Sequence, residues 1–337
     1  MSADAVSIYP WLVADIGGTN ARFGWLAGPA ASVEHVRVLP VGDHASPAAA
    51  AQAYLAQLQS LLGEAFAAPR RAAFALATAV AGDQIELTNA HWSFSRAATQ
   101  AELGLDALLA LNDFEALALS LPRLKAGQLR PWPASVLPAA APQGALAVIG
   151  PGTGLGVGGV LHTRSGWVAL PGEGGHATLS AADSFESELL AHVRREYAHV
   201  SAERLLSGIG LPTLHDAVLA VNGATGAAAA RLATEHIVER GLSGLDPLCA
   251  QTLNSFCALL GSFAGNVALT LGARGGVYIG GGIVPRLGEF FFASQFRERF
   301  EAKGRFQSYL EGIPTALITD TLAALSGAAL AIEQHVA

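Results

Sequence analysis

Several short stretches of this chain put polar and acidic side chains where backbone turns could present them to a ligand. In Asp15-Ile16-Gly17-Gly18-Thr19-Asn20, two β-favouring runs flank a Gly-Gly corner, so the stretch reads as strand, tight turn, strand. Consecutive amides in such a turn can cradle phosphate. Asp15 would stand at the mouth of that cradle, able to meet a metal ion or its bound water, with Thr19 and Asn20 just past the turn. The alternative is an ordinary hairpin. A second stretch, Leu105–Leu111, is apolar and stops abruptly at Asn112-Asp113 before a segment of helical spacing. Asp113 therefore either caps that helix or faces a ligand from a strand's carboxyl end, where open α/β sheets bind. In Pro171-Gly-Glu-Gly-Gly-His176, three glycines disfavour a helix, so Glu173 and His176 can point a carboxylate and an imidazole at one polar ligand; a structural histidine is the alternative. Glu203 falls in the first turn of an expected helix capped by Ser201, a place that also suits an acid on dipole grounds alone.

The elements that must hold these residues follow from pattern. The opening hairpin over 11–26 is followed by a third strand at Val33–Val41 and an alanine-rich helix from Ser46 or Pro47 to about Leu62. A buried strand spans Arg71–Val80. Thr88–Ser95, polar and aromatic together, suits either a ligand-lining loop or a surface loop with a half-buried tryptophan. Pro122–Pro142 holds five prolines and reads as an irregular connection. Helices are expected at Ser184–Val200, from Ser201 to Gly208, and at about 212–222, 226–240, 246–270, 287–303 and 323–336. A strand near Pro314–Thr319 precedes the last of these.

Ala145–Leu161 repeats the opening theme. Gly18-Thr19 with Gly24 corresponds to Gly152-Thr153 with Gly158 at the same spacing, both between apolar strands. This internal repeat suggests two related half-molecules with one phosphate loop each, the second including Gly152, Thr153 and Gly154. Gly275–Pro285 adds a late strand ending in Gly280, Gly281 and Gly282, which would let a flat ring lie against backbone or simply serve a turn.

Composition bounds the function. At 337 residues the chain can bury a large core and form two domains. With 51% apolar and 14% charged residues it is globular rather than disordered. The net charge is −7 and Lys125 and Lys303 are the only lysines, which argues against a nucleic-acid surface. Cys249 and Cys257 fit an apolar helical pattern and read as packed thiols. No basic leader and no run of 18 apolar residues marks a membrane segment, so a cytoplasmic location is the default expectation. Gly154–Gly159 matches the dinucleotide fingerprint, but a strand follows it where a helix is required. The protein-kinase glycine loop lacks its partner motifs, and no lysine follows a glycine cluster to make a Walker loop.

Two phosphate loops, an acid at a strand end between them and a late glycine triplet resemble the sugar kinase, heat-shock protein and actin fold. Asp15–Asn20, Asn112-Asp113-Phe114, Gly150–Gly156, Pro171–His176, Ser201-Ala-Glu-Arg204 and Gly280–Arg286 are together similar to the bacterial glucokinase family, in that family's order and across almost the whole chain. The resemblance implies an α/β, two-domain actin-like (ribonuclease H-like) fold with a ligand cleft between a small domain (1–111 plus 319–337) and a large one (112–318). It implies ATP-dependent phosphorylation of D-glucose to glucose 6-phosphate, with Asp113 as catalytic base and Asn112, Glu173, His176 and Glu203 on the sugar hydroxyls. Asp15, Ile16, Gly17, Gly18, Thr19, Asn20, Gly152, Thr153 and Gly154 would hold the ATP phosphates and Mg2+, with Asp15 reaching the metal through water. Gly280, Gly281 and Gly282 would border the adenosine. A homodimer is expected from the family. A kinase for mannose, fructose or N-acetylglucosamine uses the same parts, and a non-catalytic sugar sensor is the rival from another class. The cysteine-rich zinc motif and the helix-turn-helix of the related repressor/kinase family are missing, so no structural zinc is expected. Glucose is expected to favour a closed state, with Trp92 in the Thr88–Ser95 loop as its fluorescent reporter.

Overall fold

A computed structural model of the chain describes residues 9–28, 31–88, 90–133, 135, 144–225 and 231–336. Backbone contacts divide it into two compact units: residues 1–124, 163–171 and 321–337 form one, and 125–162 with 172–320 form the other. The expected boundaries at 111/112 and 318/319 differ from these. The chain passes between these units four times, two of the passages being made by residues 163–171, which group with the first unit.

The first unit begins with β1 (Trp11–Ile16), β2 (Asn20–Leu26) and β3 (Glu34–Pro40). Helix α1 (Pro47–Leu62) starts where Ser46 Oγ accepts from the Ala49 amide at 3.1 Å and proline fills its first turn. Then come β4 (Arg71–Leu76), a small ribbon of β5 (Gln84–Glu86) and β6 (Ser93–Ser95), α2 (Arg96–Glu102), β7 (Ala107–Asn112) and α3 (Asp113–Ser120). The sheet order is β3-β2-β1-β4-β7, with β1, β4 and β7 parallel. Register aligns Ile16 with Leu76 and Leu76 with Asn112. The Gly-Gly turn and Asn112-Asp113 therefore emerge at the same edge of one sheet.

The second unit contains β8 (Leu129–Pro131), β9 (Ala145–Pro151) and most of β10 (Leu155–Thr163). The chain then runs through β11 (Gly166–Leu170), which packs on α3 in the first unit. It returns as α4 (Ser184–Val193), α5 (Leu211–Val221), α6 (Thr234–Leu242) and the 25-residue α7 (Pro247–Leu271). After β12 (Val277–Ile279) come the short α8 (Val284–Leu287), α9 (Glu289–Ala293), α10 (Phe296–Glu301) and α11 (Gln307–Glu311), then β13 (Thr315–Ile318). Helix α12 (Ala323–Val336) returns to the first unit. Within the second unit the strands run β10-β9-β12-β13-β8. The antiparallel pair β9–β10 with parallel β12 beside β9 copies the arrangement of β1–β2 with β4, so the repeat read in the sequence is a repeat of topology. Helix α7 is long and apolar enough to cross a membrane by composition alone, but 78% of its most apolar window is buried in the core. Cys249 and Cys257 are both buried free thiols there, pushed up to about 12 chiefly by desolvation.

Several expected elements take a different form. The helix expected over Ser184–Val200 stops at Val193, and Ser201–Gly208 is a chain of turns. The Ala202, Glu203 and Gly208 amides donate to the Ala177, Gly175 and Gly152 carbonyls (2.9, 2.8 and 2.8 Å), while Arg204 and Leu205 bond locally to Ser201 and Ala202, so the segment is pinned at both ends and runs as turns. The helix expected at 287–303 is broken into pieces around Gly288 and Ser294. Residues 226–230 of the helix expected at 226–240 lie outside the described residues, and α6 starts at Thr234. Trp92 is 2% exposed, in the first unit's core, and its indole N–H donates to the His44 carbonyl at 2.8 Å.

Helix α3, which carries Asp113, is held by α12 through a backbone contact at Gly327, where an added Cβ would lie 1.7 Å from the Ala116 carbonyl oxygen. In a helix free of such contact, Gly→Ala stabilises by up to about 1 kcal/mol. Here Gly327→Ala is expected to reverse that sign and cost about 1–3 kcal/mol by overpacking, read as a lowered urea midpoint.

Candidate functional site

Asn112 closes β7 and caps α3. Its Oδ1 accepts from the Phe114 amide at 2.9 Å and the Glu115 amide at 3.4 Å, while Glu115 returns a bond to the Asn112 amide. Its Nδ2 donates to the Thr78 carbonyl at 3.1 Å, tying the end of β7 to the segment after β4. The cap position is thereby taken by Asn112, and Asp113 is the first residue of the helix, its Oδ1 accepting from the Phe114 amide at 2.9 Å. The choice between cap and ligand-facing acid is resolved as far as the cap goes: the helix does not need Asp113 for it.

Asp15 lies opposite Arg22 across the β1–β2 ladder, and the two side chains pair at 3.1 Å. Burial raises the Asp15 carboxyl above the usual range, opposed by Arg22. The turn beyond it closes with the Gly17 amide donating to the Asn20 carbonyl at 2.9 Å, and leaves Thr19 exposed at the tip. A desolvated carboxylate whose Oδ2 faces its arginine can still offer Oδ1 to a metal-bound water. Mg2+ usually arrives hydrated on phosphates and uses one or two carboxylates, so this donor set fits it. Among the described residues no three His, Cys, Asp or Glu side chains gather to hold a metal by themselves.

The second unit assembles the other residues. The Gly152 amide donates to the Gly154 carbonyl at 2.8 Å, forming a tight turn with Thr153 exposed at its tip. Glu173–Gly175 runs beside the start of β10, where Val157 bridges to Glu173 in parallel sense. The approach is so close that a Cβ on Gly175 would stand 1.9 Å from the Leu155 carbonyl oxygen. This is why the loop is glycine-rich. His176 Nε2 lies 4.0 Å from Glu173 Oε2, and its Nδ1 lies 3.9 Å from Glu203 Oε1. Glu203 Oε2 in turn accepts from the Leu155 amide at 2.9 Å. Glu173 and His176 are exposed, whereas Glu203 is half-buried. Two acids and an imidazole thus stand side by side next to the Gly152–Gly154 turn, an arrangement suited to a ligand rich in hydroxyls. The glycine triplet joins the same neighbourhood. The Gly280 amide donates to the Ile149 carbonyl at 2.8 Å and the Ile283 amide to the Pro151 carbonyl at 3.1 Å. Gly281 takes φ +76° with its Cα against Pro151.

Beyond the triplet, Thr234, Glu235, Val238 and Glu239 of α6 with Ile283 and Arg286 line a cavity of about 180 Å³. Sequence patterning did not point to the α6 residues, since their helix looks like any amphipathic surface helix until its packing is known. Arg286 closes the Gly280–Arg286 stretch and was the one available signal. The Thr78 carbonyl and the Leu155 amide are backbone groups, which no side-chain pattern reveals.

The site residues therefore form two groups: Asp15–Asn20 with Asn112-Asp113 in the first unit, and Gly152–Gly154, Glu173, His176, Glu203 and Gly280–Gly282 in the second.

A family model described as Glucokinase matches residues 12–335. A glucokinase of Aromatoleum aromaticum is 50% identical over 329 residues, covering 98% of this chain and 96% of that protein. A glucokinase of Neisseria meningitidis is 47% identical over 327 residues, covering 97% of this chain and 96% of that protein. Among solved structures, a glucokinase from an Antarctic psychrotroph superimposes with a TM-score of 0.86 at 36% identity, covering 96% of this chain and 98% of that one.

The contact at Gly175 makes a direct expectation. Gly175→Ala forces the 173–176 loop away from Leu155, so affinity for the sugar is expected to fall at least about tenfold, the equivalent of roughly 1.4 kcal/mol. Calorimetric titration with glucose checks it.

Proposed function

The chain belongs to the glucokinase family, and on that premise we propose that Asp113 accepts the proton of the D-glucose 6-hydroxyl as that oxygen attacks the γ-phosphoryl group of ATP, giving glucose 6-phosphate and ADP. The observation that carries this reading is the position of Asp113 directly after a parallel strand, as the first residue of α3, with Asn112 and not Asp113 as the N-cap. A sugar hydroxyl is a poor nucleophile, and a positioned carboxylate that takes its proton gives about 10²–10⁴-fold.

The other residues divide the remaining work. Glu173, His176 and Glu203 supply acceptors and a donor for the sugar hydroxyls, and Asn112 keeps one amide hydrogen beyond its bond to Thr78. A sugar lacking a hydroxyl would leave one of these groups unpaired, at about 1–3 kcal/mol. The amides of the 17–20 and 152–154 turns face the phosphates, and the cavity lined by Val238, Ile283 and Arg286 takes the adenosine beside Gly280–Gly282. Magnesium bound with ATP and approached through water by Asp15 would supply positive charge toward the phosphoryl oxygens. Lysine has little share in this: Lys303 donates to the Ser262 carbonyl at 2.9 Å, and Lys125 is the only other one. Membership of the family also carries the expectation of a cytoplasmic homodimer.

Purified protein with MgATP is expected to form ADP with glucose, and phosphorus NMR should locate the product phosphate on O6. Activity on mannose, fructose or N-acetylglucosamine but not on glucose would reassign the substrate. Asp113→Asn is expected to lower kcat about 10²–10⁴-fold with an unchanged urea midpoint, because the cap stays with Asn112. A near-normal kcat in that variant would remove Asp113 from the chemistry.

A further inference from the structure

The Glu203 carboxylate has two oxygens with different neighbours. Oε1 is the oxygen nearest the His176 imidazole, at 3.9 Å, on the side of the Glu173–His176 group. Oε2 accepts the Leu155 amide hydrogen at 2.9 Å, directly after the Gly152–Gly154 turn. The contact is tight: a Cβ on Gly154 would lie 2.5 Å from Oε2. The segment that carries Glu203 also grips the turn through its backbone. The Gly208 amide donates to the Gly152 carbonyl at 2.8 Å and the Ile209 amide to the Thr153 carbonyl at 3.4 Å. Glu203 is itself fixed, its amide bonded to the Gly175 carbonyl at 2.8 Å and its carbonyl accepting from Ser207 Oγ at 2.7 Å. All of these groups lie in one unit.

We propose that Glu203 is a positioning residue for the nucleotide as well as a sugar ligand: its Oε2–Leu155 bond sets the shape of the Gly152–Gly154 turn and couples sugar binding to phosphate binding. The inference rests on the reading of that turn as a phosphate loop and of Glu173, His176 and Glu203 as sugar ligands. A carboxylate that accepts a turn amide holds the flanking peptide in one orientation, and a charge-assisted bond of this kind is stronger than a neutral one. A sugar hydroxyl donating to Oε1 restrains the same carboxylate and, through Oε2, the turn. A nucleotide that needs the turn ordered then binds a protein whose ordering cost has been met. Linkage requires the effect to be reciprocal. Glu173 and His176 have no such bond to the turn, so they separate the two roles.

The test measures binding of MgADP and of glucose to the full chain by calorimetry, each alone and each with the other saturating. Glu203→Ala is expected to weaken MgADP at least fivefold in the absence of glucose, and to weaken glucose as well. Glu173→Ala and His176→Ala are expected to weaken glucose while leaving MgADP within twofold. Glu203→Gln keeps a carbonyl acceptor for the Leu155 amide, so it should restore MgADP affinity to within twofold of the parent while glucose stays weakened. If Glu203→Ala does not fold, Glu203→Asp, one methylene too short to span both neighbours, must show the same loss of MgADP affinity. MgADP affinity unchanged in Glu203→Ala, or in Glu203→Asp where the alanine variant does not fold, overturns the proposal. So does an equal loss in the His176 variant. Failure of the parent protein to bind glucose or MgADP at all would instead overturn the functional reading on which the proposal stands.

Discussion

The second unit's half of the site depends on how close two backbones can come at Leu155. The carbonyl of that residue is covered by Gly175, whose missing Cβ, with that of Gly174 against Val157, lets the 173–176 loop lie there, and its amide is taken by Glu203. Leu155 opens β10, and β10 is fixed by its ladder to the wholly buried β9. A loop of acids and imidazole is thus referenced to a fully buried strand, and close-packed interiors shift little.

The first unit solves the same problem with a helix. Asp113 is placed by the end of β7, by the Asn112 amide bridging to Thr78, and by α12 bearing on α3 at Gly327. Each unit presents a glycine turn at the carboxyl end of a strand flanked by an antiparallel and a parallel neighbour. Duplicated topology gives two glycine turns of the same kind at the carboxyl ends of their strands, the place where open α/β sheets bind ligands.

The sequence by itself determined a good deal. Periodicity and turn residues located the opening hairpin, α1 with its Ser46 cap, β7 ending at Asn112-Asp113, the glycine repeat and the closing helix, because each rests on local rules of propensity and capping. Six motifs in order identified the family, which the close relatives bear out. Tertiary structure decided the rest. Ser201–Gly208 carries helix-forming residues, yet the Ala202, Glu203 and Gly208 amides are taken by the Ala177, Gly175 and Gly152 carbonyls, and a local rule cannot anticipate a remote carbonyl. Trp92 in a polar, aromatic loop reads as ligand-lining or half-buried, and its full burial follows only once the core around it is assembled. The grouping of 112–124 and 163–171 with the first unit depends on helix and hairpin packing at long sequence separation. The pairing of Glu203 with Leu155 spans 48 positions and uses a backbone donor. Side-chain patterns report which residues could do chemistry; backbone groups, identical at every position, acquire their roles only when the fold brings them into register.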